Sequence, residues 1–249
     1  VSRDVHLSAH RRYRETLAPQ AGELTFQAVV EQSDLLVTAE RDLSAEVLDH
    51  LRGIRGQLKA FVLLHPEFRT SLVPVEVPEG AADIVADMAR SARACGVGPF
   101  AAVAGAVAQS VADRFAGVSP NILVENGGDL YLRSTRERVV SFLADPKSEA
   151  RLGCVLAPDE FPVSFCASSG RIGPSLSLGV GDLVAVRANR GSLADAAATA
   201  LGNLLHAPRD LRRVTDLAQE LAEHGVEGVF AQFDDKIAVW GKIELTVIE

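Results

Sequence analysis

The stretch "NILVENGGDLYLRS" (residues 121–134) constrains this chain more than any other, because it sets two apolar runs on either side of Asn-Gly-Gly-Asp. Asn-Gly and Gly-Gly supply the positive φ angles that two-residue hairpin turns need, so the stretch predicts antiparallel strands joined tightly. The same pairing recurs along the chain. In "ELTFQAVVEQSDLLVTAE", Leu24, Phe26, Ala28 and Val30 alternate with other residues as a half-buried strand requires. "RYRETL", "RVVSFLAD", "FPVSFCAS" and "DLVAVRA" read as further strands, and "GVFAQF-DD-KIAVWGKIELTVI" closes the chain as two strands around a turn. Strands that come in hairpins, not one by one between helices, predict an α+β fold with an antiparallel sheet packed against helices, and exclude a Rossmann fold.

The helices carry their own signals. From Ser44, the residues Val47, Leu48, Leu51, Ile54, Leu58, Phe61 and Val62 recur at helical spacing and stop before Pro66. "TSLVPVEVP" is extended and irregular, since proline cannot donate to a ladder. A second helix spans 81–94 up to Gly96, and a third starts at Pro99 and runs to about Phe115, proline being suited to a first helical turn. Alanine-rich sequence predicts a helix from Leu193 to Leu205 with Ser192 as its N-cap, and a last helix covers Leu211 to His224.

Composition narrows the function classes. A net charge of −8 and a pI near 5.3 argue against nucleic-acid binding, which wants a basic face. The most apolar run, "FAAVAGAVA" (100–108), has about half of the roughly 20 residues a membrane span needs, so no membrane partner is expected. The opening "VSRDVHLSAHRRYRE" lacks a secretory pattern. Cys95, Cys154 and Cys166 form neither a metal spacing nor a disulfide framework, which suits a reducing compartment, and the expectation is a cytoplasmic protein. With no linker or repeat, residues 1–249 read as a single domain. A homo-oligomer is compatible with all of this.

Four stretches hold candidate chemistry. In "GSLADAAATALGN" (191–203), Asp195 and Thr199 stand four apart and therefore share a helix face. A carboxylate beside a hydroxyl is half of a site for a hard cation such as Mg²⁺. The alternative is local: Asp195 follows Ser192 by three and can close a capping box. Asn126, Gly127, Gly128 and Asp129 are a turn, or a cradle whose backbone N–H groups approach a ligand closely. In "CASSGRIGPSLSLGVG" (166–181), Ser168, Ser169 and Gly170 can donate to phosphate oxygens, or form a surface loop. In "CGVGPFAAVAGAVAQSVADRF" (95–115), Ala101, Gly105, Ala108 and Ala112 allow close approach to a strand or ligand. The histidines are scattered, with no triad or ligand spacing.

Taken in order, "AVAGAVAQ", "NGGDL", "SSG" and "LADAAATAL" resemble the ApbE-like superfamily, whose best-known members are Mg²⁺-dependent FAD:protein FMN transferases. The resemblance is strongest over 96–205. With "PEFRTSLVPVEVP" it looks most like the ApbE-related branch of bacteria and methanogenic archaea, over nearly the whole chain. It implies a tunnelling-type fold, antiparallel sheet backed by helices. Residue by residue, it implies Mg²⁺ at Asp195 and Thr199, a flavin-nucleotide hairpin at Gly127, Gly128 and Asp129, a Ser-Gly loop at Ser169 and Gly170, and the helix glycine at Gly105. Gly128, Asp129, Ser169, Gly170 and Asp195 should then line one cleft. There are departures. Ala104 stands where the transferases carry lysine and Gln109 where they carry an aspartate, and "GPSLSLG" replaces their His-Ile-Ile-Asp-Pro segment. The resemblance therefore implies two functions. One is a transferase-like protein that binds FAD or another pyrophosphate-containing nucleotide with Mg²⁺. The other is a non-flavinylating accessory or binding protein, in sulfur assimilation with Cys95 or Cys166 as sulfur handlers.

Overall fold

The computed structural model describes residues 19–142, 151–169 and 181–248. Strands β1 (Leu24–Val30) and β2 (Ser33–Ala39) form the first hairpin. Helices α1 (Ser44–Leu64), α2 (Glu67–Thr70), α3 (Asp83–Cys95) and α4 (Val103–Phe115) follow, the last entered through a 3-10 turn at Pro99–Ala102. Next come β3 (Ile122–Asn126), β4 (Asp129–Arg133), β5 (Arg138–Phe142), β6 (Arg151–Leu156), β7 (Val163–Ser168) and β8 (Leu183–Ala188). Helices α5 (Gly191–Gly202) and α6 (Leu211–Glu220) precede β9 (Val226–Phe233), β10 (Lys236–Gly241) and β11 (Leu245–Ile248).

Eight strands form one antiparallel sheet in the order β1-β2-β3-β4-β7-β8-β9-β10. Its two halves share a plan: two strands, then helices, then two strands. The second sheet, β11-β6-β5, has three strands and is also antiparallel. Alternation along the central strands supplies both layers, since successive side chains point to opposite faces. On the helical face, Val124 and Tyr131 pack with Leu51, Met88, Val107 and Val111, while Val184, Val186 and Val229 pack with Leu193, Leu201 and Val214. On the other face, Leu123, Leu132, Phe165 and Phe230 pack with Val140, Cys154 and Leu156 of the small sheet. The helices and the small sheet thus cover the two faces of the large one.

The strands expected in hairpins, the α+β class and the helix from Ser44 all form. "RYRETL" and the end of "RVVSFLAD" lie outside the described residues. Two strands differ from expectation. Strand β6 was not foreseen, although Cys154 and Leu156 obey a period of two, because Gly153 interrupts the apolar signal. The C-terminal run splits in two: the Lys242 N–H donates to the Glu227 carbonyl at 2.8 Å, and Leu245–Ile248 pairs with β6 in the small sheet instead of continuing β10. The sheets are tied by a buried ion pair, in which Glu23 beside β1 accepts from the guanidinium of Arg138 on β5. No single described helix is long and apolar enough to cross a membrane. Helices α3 and α4 pass that test only together with the turn between them, and they are bent by 104°.

Candidate functional site

The hairpin turn forms as its residues dictate. Gly127 and Gly128 have φ of 71° and 110°, and Asn126 pairs with Asp129 across the turn. The turn is braced by Glu125, fully buried, whose Oε1 accepts the Gly128 N–H at 2.7 Å. Asn126 reaches away from the turn and donates through Nδ2 to the Ala104 carbonyl at 3.0 Å, binding the hairpin to the start of α4. Asp129 lies just beyond the last residue pair of β4 with β7, where its Oδ1 accepts the Ala167 N–H at 3.1 Å and extends the ladder with a side chain. Ser168 is the last residue of β7 and is buried; Ser169 follows and is half-buried; Gly170 lies outside the described residues.

Helix α5 starts two residues earlier than expected and ends at Gly202, not Leu205. Its N-cap position is Arg190, with no side-chain cap, so neither the Ser192 cap nor the capping box with Asp195 exists. Ser192 is already helical and fully buried, and its hydroxyl is 2.8 Å from that of Ser91 on α3. Asp195 caps another helix instead. Its Oδ2 accepts the N–H groups of Ala104 and Gly105 at 2.9 and 3.0 Å, satisfying first-turn donors of α4 that have no partner within the helix. The reverse connection runs from α4 to α5: Gln109 Oε1 accepts the Gly191 N–H at 2.8 Å.

Both connections need contact closer than a side chain permits. A Cβ on Gly105 would stand 2.1 Å from the Gly191 carbonyl oxygen, and one on Gly191 would stand 2.2 Å from that of Gly105. The small-residue helix thus packs its glycine against α5, which accounts for Gly105 at that position. Thr199 lies one turn after Asp195 and is half-buried. Among the described residues, neither Asp195 Oδ1 nor Thr199 Oγ1 has a hydrogen-bond partner.

Asp129 and Asp195 come from distant parts of the chain, yet the Asp129 charge is near enough to act on the Asp195 carboxyl. Burial pushes the Asp129 carboxyl up to about 7, helped by the nearby Glu125 charge and opposed by the Ala167 N–H and the Cys166 thiol. Burial and then the Asp129 charge push the Asp195 carboxyl well above the usual range, against its two amide hydrogen bonds. Cys166, fully buried beneath both, is held as the neutral thiol by burial and by the two carboxylates. Cys95 is pushed up to about 12 by burial. Neither is a thiolate near neutral pH.

A pH dependence follows from the carboxyls. For a group raised in the folded state, the stabilising contribution is complete below its unfolded value, here 3.8, and is lost as pH rises through its folded value, about 7 for Asp129. Without added cation, the parent should therefore lose stability relative to Asp129→Asn as pH rises across that window. Urea denaturation of both proteins at several pH values reads this difference, and parallel profiles would show that Asp129 does not carry the strain.

The arrangement fits a hard cation by its donor chemistry. Carboxylates whose charges act on one another gain from a nearby positive charge, and Mg²⁺ is commonly held by one or two carboxylates together with substrate phosphates. Among the described residues, no three His, Cys, Asp or Glu side chains gather as a complete metal site. Remaining ligands would come from the Thr199 hydroxyl, backbone carbonyls, water or a bound phosphate. Sequence reasoning missed Glu125 and the cross-helix capping roles of Asp195 and Gln109. The one available signal was that Gly105 precedes Gln109, and Gly191 precedes Asp195, by the same four residues.

Comparison with known proteins places this geometry in context. The family model AbpE_bact, described as "AbpE bacteria", matches residues 14–239. The chain is 34% identical over 215 residues to a UPF0280 protein of Methanocella arvoryzae, covering 86% of this chain and 87% of that one. It is 38% identical over 183 residues to a UPF0280 protein of Methanopyrus kandleri, covering 72% and 73%. Among solved structures, the fold is similar to the flavinyl transferase ApbE of Pseudomonas stutzeri, with a TM-score of 0.57 and 14% identity over 88% of this chain and 94% of that one. It is also similar to the flavin transferase ApbE of Vibrio cholerae, with a TM-score of 0.55 and 10% identity over 88% and 97%.

Proposed function

Because the chain belongs to the family described as AbpE bacteria, an ApbE-like branch shared with the UPF0280 proteins, we propose that it binds a flavin nucleotide, FAD or a related pyrophosphate-containing nucleotide, with Mg²⁺ at Asp195. The observation that carries this reading is that Asp195 Oδ1 and, one helical turn on, Thr199 Oγ1 have no hydrogen-bond partner among the described residues, with Asp195 held at the start of α4 beside the Asp129 hairpin. In it, Gly127 and Gly128 present backbone to the ligand, and Asn126, Gly105 and Asp195 hold α4 against the hairpin and α5. Ser168 and Ser169 border the same region, following directly on Ala167, which Asp129 holds. Mg²⁺ there would neutralise pyrophosphate oxygens and polarise the bond to be broken. The ApbE structures named as flavin transferases share the fold, which supports the ligand class. The reading treats residues 1–249 as one domain, in keeping with the match over 14–239.

Calorimetric titration with FAD tests it, in Mg²⁺ and again in excess EDTA. Saturable binding in Mg²⁺ that disappears in EDTA is the expected result, and no binding in either buffer would overturn the reading. A second reading, a binding or accessory protein without group transfer, is favoured by Ala104. That position bears a methyl group, and its carbonyl is taken by Asn126. Transfer of FMN from FAD to an acceptor must release AMP. Chromatography of the same mixtures for AMP therefore separates a transferase from a binder. The sulfur-handling variant has no support from Cys95 or Cys166, since both are held as thiols.

A further inference from the structure

We propose that Gln109 is a positioning residue for Asp195: by accepting the Gly191 N–H, it sets the first turn of α5 and so aims the Asp195 carboxylate at the start of α4. That this serves a cation site rests on the reading above; the positioning itself stands on packing and hydrogen bonds.

Gln109 is not free to choose its orientation. Its Nε2 donates to Asp113 Oδ2 at 3.2 Å, one turn further along α4. Asp113 is anchored through Oδ1 by Arg133 at the end of β4, at 2.8 Å from Nε and 2.7 Å from Nη2. With the amide nitrogen committed to Asp113, the oxygen is left to point at Gly191, where it meets the N–H at 2.8 Å. A chain of contacts thus runs from the sheet through Arg133, Asp113 and Gln109 to the first amide of α5.

Asp195 lies one turn beyond Gly191 on the same helix face, so what fixes Gly191 fixes the carboxylate. The two helices answer each other. Gly105 and Gly191 touch backbone to backbone, and the residue four places after each glycine caps the other helix. A helix of 12 residues held at its first turn by one side chain and two glycines has little freedom to rotate its second turn.

The test is amide hydrogen exchange, resolved by residue with NMR, on the full chain without ligand. Gln109→Met keeps the length of the side chain and removes the acceptor. It should speed exchange at Gly191, and also at Ala104 and Gly105, which Asp195 caps, by about three- to tenfold, the factor for one hydrogen bond. A change confined to Gly191 would make Gln109 a local cap and overturn the proposal. Titration with Mg²⁺ alone gives a second readout, a weaker affinity in Gln109→Met than in the parent. Equal affinity in the two would also overturn it. If the parent itself binds no Mg²⁺, the cation reading fails while the exchange result still decides the positioning.

Discussion

Asp195→Asn is expected to fold as the parent does and to lose Mg²⁺-dependent binding of FAD by at least roughly 100-fold, the upper end of what even an outer-sphere partner of a metal costs. The two halves of this expectation come from the two oxygens. Oδ2 accepts the Ala104 and Gly105 N–H groups, a duty that an amide oxygen takes over, since asparagine caps about as well as aspartate. Oδ1, without a partner among the described residues, becomes an NH₂ group, which cannot hold a cation. Removing one of two charges that repel also relieves the cost of holding them together, so stability in metal-free buffer should match or exceed that of the parent above neutral pH. Thermal unfolding with and without Mg²⁺, beside calorimetry with FAD, measures both halves. A variant that binds FAD with the parent's metal dependence would remove Asp195 from the cation site. One that fails to fold would show that the carboxylate charge is needed for the α4 cap.

The residues that made this site legible in sequence are those whose job is local. Asn126-Gly127-Gly128-Asp129 announces a turn because its φ angles are a property of four neighbours, and the turn is present. The helix from Ser44 is legible because its buried stripe repeats every turn. Asp195 was legible as a residue of interest but not in its role. Read locally, it pairs with Ser192; in the fold, its partners are Ala104 and Gly105, the latter 90 positions away. Nothing in thirteen residues of sequence distinguishes a carboxylate that caps its own helix from one that caps a neighbour. Gln109 is a sharper case. Beside a family motif it reads as a departure, yet its carbonyl oxygen holds the first turn of α5. Tertiary capping is decided by which helices pack together, and that is set by the sheet order and by two glycines, not by the capping residue.

Gly105→Ala is expected to cost about 3 kcal/mol or more, the upper range for forcing an extra methyl into a packed interior. The neighbour it meets cannot swing aside. The new Cβ would stand 2.1 Å from the Gly191 carbonyl oxygen, 2.6 Å from its carbon and 3.0 Å from Asp195 Cβ, and the first two of these are backbone. Relief requires α4 and α5 to separate, which stretches the Asp195 bonds to Ala104 and Gly105 and the Gln109 bond to Gly191 together. Against a typical total stability of about 5–15 kcal/mol, such a loss is a large fraction. Gly191→Ala makes the reciprocal clash, at 2.2 Å from the Gly105 oxygen, and should cost about as much. Since one separation of the helices relieves both clashes, the double variant should cost clearly less than the sum of the two. Urea denaturation of the three variants completes the cycle. Additive losses would mean that the glycines act at independent contacts, and a loss under about 1 kcal/mol for Gly105→Ala, the size of an ordinary substitution, would mean that the helices are not held at this distance.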